Sequence, residues 1–126
     1  MFEQMKNAAK LASVMKDLPR LKARMEEVRA DLAGRHVEGQ SGGGAVVAVA
    51  TGKMQIHEIR LSPALISGAA SLDTTAREYA ERLVVEAVNA ALEKAQQMIA
   101  AEIHKTAVEM DLPIPEGALA GLLGSS

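Results

Sequence analysis

Cysteine is absent from this chain, and aromatic residues are almost absent. Without cysteine, neither a disulfide framework nor a thiolate zinc site is possible. Phe2 and Tyr79 are the whole aromatic supply, so the chain lacks the ring platforms on which single-stranded nucleic acid stacks. The core must therefore be built from Ala, Val, Leu, Ile and Met, which suits thin packing of helices on a sheet or of helices on helices.

Long apolar runs and export signals are also missing. No stretch approaches the roughly 18 apolar residues that a membrane span needs, and the first residues lack the charged start and apolar run of a secretory signal. We therefore expect a cytoplasmic protein with no membrane partner. A length of 126 residues indicates one domain. We place this domain at residues 1–112 and a flexible tail, which contains Pro, Gly and Ser, at residues 113–126.

The net charge of −2 gives no support to a nucleic-acid partner, but the charges are unevenly distributed. Residues 1–36 carry eight basic and five acidic groups, a net of +3, whereas the remaining residues carry a net of −5. This asymmetry suggests a first helix that faces a polyanion. The alternative is that Lys and Arg only solvate the outer face of an amphipathic helix, and charge alone favours this alternative.

Residues 3–33 are predicted to form a helix. Its apolar residues recur at alternating spacings of three and four, as in the seam of a coiled coil. They are Leu11, Val14, Leu18, Leu21, Met25, Val28 and Leu32. Pro19 interrupts the pattern, and because proline lacks a backbone N–H we expect a kink there, or two helical segments that meet near residues 17–18.

Three short strands are predicted next, at residues 35–41, 45–51 and 54–61. The glycines at 42–44 lead into a strand and not into a helix, which favours a turn or bulge over a phosphate-binding loop. Small residues share one face of the second strand, so another element must pack close to it. The apolar face of the third strand changes parity, which predicts a bulge near His57 and Glu58.

Residues 64–72 are predicted to be a short connector to a second long helix. We expect this helix to begin at a capping box, Thr75-x-x-Glu78, and to end by about Met110. Asn89 lies beside its apolar stripe. The asparagine either fixes the register of a helix seam or hydrogen bonds to a nearby backbone group.

No set of residues assembles a catalytic or metal site. The three histidines, at 36, 57 and 104, lack the spacing of a helical metal motif. Ser41 fits the letters of the G-x-S-x-G motif, but that motif lies at a strand-to-helix turn and Ser41 precedes a strand. We expect Ser41 to accept a turn hydrogen bond. We therefore predict that the protein is not an enzyme and uses no metal, cofactor or small-molecule substrate.

Several segments together carry a family resemblance. They are Glu38-Gly39-x-Ser41-Gly42-Gly43-Gly44, then Gly52, then Ile56-x-x-Ile59-x-Leu61-x-Pro63-x-Leu65, and the asparagine-containing helix at 83–95. In this order they resemble the YbaB/EbfC family of bacterial nucleoid-associated proteins. The resemblance implies a small cytoplasmic dimer of helix-strand-strand-strand-helix order that holds DNA near its helices. Pro19 departs from the uninterrupted first helix usual in that family.

We therefore predict an α+β homodimer whose protomer joins two long helices to a small antiparallel sheet. A lone three-stranded sheet with alanine-rich faces buries too little surface by itself. The predicted function is that of a nucleoid-associated protein that binds duplex DNA, largely through phosphate contacts. The candidate contacts, chosen by charge, are Lys6, Lys10, Lys16, Arg20, Lys22 and Arg24. The alternative is a protein-binding adaptor or chaperone-like dimer that uses Met- and Leu-rich helix seams.

Overall fold

The computed structural model of the chain describes residues 2–111, including the side chains of residues 12 and 15–111. The elements are α1 (Phe2–Ala33), β1 (His36–Ser41), β2 (Val46–Thr51), β3 (Ile56–Leu61), α2 (Pro63–Ala69) and α3 (Thr74–Glu109). The strands form one antiparallel sheet in the order β1-β2-β3. The predicted α+β class is confirmed, with one short helix more than expected. The predicted tail at 113–126 lies outside the described residues.

α1 continues through Pro19 as a single helix. The expectation of two segments meeting near residues 17–18 is therefore wrong. Proline removes one intrahelical hydrogen bond, but helix propagation adds a bond for each further residue fixed. A helix of 32 residues retains enough bonds on both sides of Pro19 to remain continuous.

The core lies between one face of the sheet and α3. Val46, Ala48 and Ala50 of β2 are fully buried there. This confirms the prediction that another element packs close to the small residues of the second strand. The residues of α3 in the same cluster are Leu83, Ala87, Ala91 and Ala95. Gly39 of β1 makes the closest approach, because a Cβ built on it would lie 2.2 Å from the backbone nitrogen of Ala91. α3 thus covers β1 and β2, and its backbone nearly touches that of β1 at Gly39.

The glycines between β1 and β2 form a single tight turn. Gly42, Gly43 and Gly44 have φ angles of 60°, 67° and 95°. Residues with a Cβ rarely adopt such angles. The interpretation of this segment as a strand-connecting turn is confirmed.

The predicted bulge in β3 is also present. Val49 of β2 pairs with Glu58. The next residue of β2, Ala50, pairs with Ile56. His57 is therefore the extra residue, and it allows the apolar side chains before and after it to share one face.

Two helix starts differ from the prediction. The predicted connector at 64–72 overlaps α2, which begins at Pro63. The Ser62 hydroxyl caps its first turn by accepting a hydrogen bond from the Leu65 N–H at 3.1 Å. α3 begins at Thr74 and is capped by Asp73, which accepts from the Thr75 N–H at 2.9 Å. The prediction that α3 begins at a capping box at Thr75 is therefore wrong, because Asp73, two residues earlier, is the N-cap. The predicted end of α3 is confirmed, with Met110 as its C-cap.

Candidate nucleic-acid interface

The C-terminal part of α1 packs against the rest of the protomer. Val28 and Leu32 are almost completely buried. The Leu32 carbonyl accepts a hydrogen bond from the Gly52 N–H at 3.0 Å. This bond ties the last turns of α1 to the β2–β3 connection.

Two ion pairs show how α1 lies relative to α3. Arg24 contacts Glu109 at 3.1 Å, and Arg35 contacts Glu102 at 3.1 Å. Arg24 in α1 meets the last residue of α3, whereas Arg35, two residues after the end of α1, meets an earlier residue of α3, so the helices run antiparallel. Because Glu109 is the last residue of α3, the part of α1 before residue 24 extends past the end of α3. At 1.5 Å per residue, residues 2–24 span roughly 33 Å.

Five of the six predicted DNA contacts, all but Arg24, lie on this extending part of α1, but they do not form one stripe. The side chains of Lys16, Arg20 and Lys22 are exposed and form no ion pair with any described residue. Lys16 and Arg20, four residues apart, share a face, whereas Lys22 lies about 120° around the helix from Lys16. Lys6 and Lys10 belong to the same helix, and their side chains lie outside the described residues.

Arg24 differs from the other candidates because it has partners. Its guanidinium donates to Glu27 at 3.0 Å and to Glu109 at 3.1 Å. These two hydrogen bonds, above all the one that Glu27 accepts, raise the pKa of Arg24 above the ordinary value for arginine. The group stays charged, but two carboxylates compensate it, which makes Arg24 a weaker candidate for phosphate than its neighbours. Counting charges along the sequence missed this, because Glu109 is 85 residues away.

Other exposed cations were not among the predicted contacts. Arg29, Lys94 and Lys105 form no ion pair within the part of the chain that the structure describes. Arg29 follows Lys22 by seven residues and shares its face of α1. Lys94 and Lys105, eleven residues apart, share a face of α3. The sequence shows these helical spacings, but candidates chosen by charge in the first half of α1 did not include them.

The residues that the sequence analysis weighed for catalysis, metal binding or helix register occupy the following positions in the fold. The Ser41 hydroxyl donates a hydrogen bond to the Leu83 carbonyl on α3, so the expected turn hydrogen bond is wrong. The His36 and His57 rings stack with centroids 4.6 Å apart. Asn89 is exposed, and its side chain forms no hydrogen bond with a described residue, contrary to the backbone alternative. Among the described side chains, those of residues 12 and 15–111, no three from His, Asp or Glu are grouped to hold a metal ion.

No helix in this range combines enough length and hydropathy to span a membrane.

Comparison with known proteins gives consistent matches over most of the chain. The model of the YbaB/EbfC DNA-binding family matches residues 5–110. The chain is 38% identical over 93 residues to a nucleoid-associated protein of Acetivibrio thermocellus, covering 74% of this chain and 77% of that protein. It is 31% identical over 103 residues to a nucleoid-associated protein of Pseudomonas fluorescens, covering 82% and 89%. A nucleoid-associated protein of Alkaliphilus metalliredigens is 29% identical over 112 residues, covering 89% and 93%.

Proposed function

Because the chain belongs to the YbaB/EbfC DNA-binding family, we propose that it binds duplex DNA as a nucleoid-associated protein, in the form of a homodimer and without catalysis. The resemblance inferred from the glycine-rich segment is confirmed by this membership. The family match covers α1, the sheet and α3 together, so the proposal concerns the whole described protomer.

The observation that carries the proposal is a set of exposed cations on the extending part of α1. Lys16, Arg20 and Lys22 form no ion pair with any side chain that the structure describes, so none of those carboxylates must be released before they contact a phosphate. Each phosphate contact releases condensed counterions, which supplies most of the affinity of sequence-independent binding. Contacts to phosphate carry no direct sequence information. We therefore expect similar affinity for unrelated duplexes of equal length.

The homodimer is supported by apolar surface that the protomer leaves exposed. Exposed large apolar side chains include Ile59, Leu61, Ile66, Tyr79 and Val85. Ile59 and Leu61 lie on β3 and Ile66 on α2, and exposed apolar surface that forms a patch marks protein interfaces. A dimer also presents two copies of α1 to one duplex, which doubles the number of cations available.

A salt titration of binding to duplex DNA tests the proposal. With about four to six phosphate contacts per dimer, the plot of log affinity against log salt has a slope of roughly −4 to −5. Changing Lys16, Arg20 and Lys22 together to Glu abolishes binding, because the proposed contact surface then repels phosphate. Circular dichroism checks that the variant keeps its helices.

The matched control changes three cations elsewhere, Lys53, Arg77 and Arg82, to Glu. It alters the net charge equally but leaves α1 intact, so we expect it to retain most of the affinity. Equal loss in both variants would show that net charge, and not α1, governs binding. A wild-type protein that binds no duplex at low salt would overturn the proposed function.

A further inference from the structure

Arg24 continues a line of cations on α1 that includes Lys16 and Arg20. The three residues follow one another at intervals of four, and side chains four residues apart lie one above the other on the same face of a helix. At 1.5 Å per residue, neighbouring members are separated by roughly 6 Å along the helix axis. Lys16, Arg20 and Arg24 therefore form a cation row on one face of α1, with Arg24 as its last member.

Arg24 is the member of the cation row that carboxylates occupy. The side chains of Lys16 and Arg20 are exposed and form no ion pair with any described residue. The Arg24 guanidinium donates from Nη1 to Glu27 at 3.0 Å and from Nη2 to Glu109 at 3.1 Å. Both of its terminal nitrogens are thus engaged, although Arg24 lies in line with two cations that are available to a polyanion.

The carboxylates at Arg24 are exposed to solvent and exchangeable. The side chains of Arg24, Glu27 and Glu109 are 36%, 68% and 46% exposed. Ion pairs between exposed side chains contribute little to stability, because water and salt screen both charges. Arginine binds phosphate in the same charge-assisted, often bidentate way as it binds carboxylate. A phosphate that approaches the cation row can therefore take the place of a carboxylate at Arg24.

The two carboxylates reach Arg24 by different routes. Glu27 lies three residues later on the same helix. Glu109 is the last residue of α3 and is 85 residues away along the chain. Because the packing of α3 on α1 brings Glu109 to Arg24, the fold itself places an anion at the end of the cation row.

The contact between Arg24 and Glu109 is not required to hold the two helices together. Arg35 and Glu102 form a second ion pair between the end of α1 and α3, at 3.1 Å. Val28 is almost completely buried beside these contacts. Exposed pairs are worth little beside apolar burial, so loss of the Glu109 charge leaves the packing of α1 on α3 in place.

We propose that Arg24 is a further phosphate contact that Glu27 and Glu109 hold in check, so that these two carboxylates compete with DNA and limit its affinity. When a duplex lies along the cation row, a phosphate competes for the guanidinium and meets the repulsion of two carboxylates beside it. This inference rests on the proposed function and deepens it, because it names an internal competitor at the DNA-binding surface.

Glutamine substitutions at the two carboxylates test the proposal. Glutamine keeps the size of glutamate and a carbonyl oxygen that accepts hydrogen bonds, but it lacks the charge. We expect Glu27→Gln and Glu109→Gln each to raise the affinity for duplex DNA about threefold at low salt, and the double variant about tenfold. Fluorescence anisotropy with a labelled duplex measures the affinities, and circular dichroism checks that the helices are kept.

The salt dependence reports the number of phosphate contacts. Each new contact steepens the plot of log affinity against log salt by about 0.9. We therefore expect the double variant to have a slope steeper than that of wild type by about 0.9 per Arg24, or roughly 2 for a homodimer. A variant that gained affinity only because its fold became more stable would keep the wild-type slope.

The same substitutions in an Arg24→Gln background separate the proposed competition from a general effect of charge. Removing any carboxylate lowers the repulsion between protein and DNA, but only the competition requires Arg24. Without Arg24, we expect the double substitution to raise affinity no more than Glu81→Gln does in wild type. Glu81 is a matched control, because its exposed carboxylate on α3 also pairs with an arginine, Arg77 at 3.7 Å.

The outcomes distinguish this inference from the proposed function. A gain in affinity that persists without Arg24, or a double variant with the affinity and slope of wild type, would overturn the competition alone. The proposed function would then still stand if the Lys16, Arg20 and Lys22 reversal abolishes binding. A wild-type protein that binds no duplex at low salt would overturn both.

Nitrogen-15 NMR of the arginine side chains gives a second measurement that does not depend on affinity. The signals of the Arg24 guanidinium are assigned by their loss in Arg24→Gln. We expect saturating DNA to shift these signals in the double variant, as a phosphate replaces water at the released guanidinium. The signals of Arg77, remote from α1 in sequence and paired with Glu81, serve as the control. Unshifted Arg24 signals in a double variant saturated with DNA would contradict the phosphate contact.

Discussion

Gly39 lies where β1 crosses α3, and it sets the distance between sheet and helix. A Cβ at this position would meet the Ala91 nitrogen at 2.2 Å and the Ala87 carbonyl oxygen at 2.6 Å. Both are backbone atoms of a long helix, so neither can move aside by a rotamer change. The size of one residue therefore determines how closely the two layers pack.

We expect Gly39→Ala to destabilise the fold by about 3 kcal/mol, the upper end of the range typical of inserting a carbon into a packed core. Urea denaturation measures the loss. Gly68→Ala in α2 is the matched control, because a Cβ there meets no atom within 4 Å and alanine favours a helix by roughly 0.5–1 kcal/mol. Equal stability of the Gly39 variant and wild type would contradict the close approach.

The sequence predicts some single-residue roles and not others. The turn at Gly42, Gly43 and Gly44 is local, and the residues that follow identify it as a strand connection. Gly39 and Arg24 act through Ala91 and Glu109, which are more than fifty residues away. A residue's long-range neighbours are fixed only when the chain folds, so neither role is readable from local pattern.

At the scale of elements, hydrophobic periodicity predicts the long helices and the three strands because each extends over several repeats. It does not detect α2, since seven residues give too few repeats, although Ser62-Pro63 is a capping signal. Pro19 shows the opposite error: the sequence predicts a break or kink in the helix at this proline, but α1 continues through it. The packed part of α1 lies after residue 24, so Pro19 falls in the part that extends past α3.

We expect Pro19→Ala to stabilise this part of α1 by up to about 3 kcal/mol, because alanine restores the missing N–H and removes a clash. Amide hydrogen exchange then slows for residues near 19, while the global melting temperature changes little. Arg20→Ala is the control, since alanine and arginine have similar helix propensity. Unchanged exchange in the Pro19 variant would indicate that the proline costs α1 nothing.

At the scale of the whole molecule, two surfaces point to two roles. The extending cations of α1 favour a polyanion, and Ile59 and Leu61 of β3 are apolar side chains that the protomer leaves exposed. The sequence indicated the first surface through the excess of basic residues before residue 37. It did not indicate the second, because strand periodicity shows which residues share a face and not which edge a helix leaves uncovered. In the sequence Ile59 and Leu61 resemble ordinary core residues, and only the position of α3 over β1 and β2 shows that they are left exposed.

If the protomers associate as proposed, thermal stability depends on protein concentration, because only the folded chain forms the dimer. A tenfold increase in concentration adds about 1.4 kcal/mol per dimer, shared by two protomers. At an unfolding entropy of roughly 2 cal/mol/K per residue, this raises the melting temperature by about 2–3 °C. Calorimetry from micromolar to hundreds of micromolar, with repeated scans to check reversibility, measures the shift. A wild-type melting temperature that is independent of concentration, with reversible unfolding, would contradict coupled folding and association.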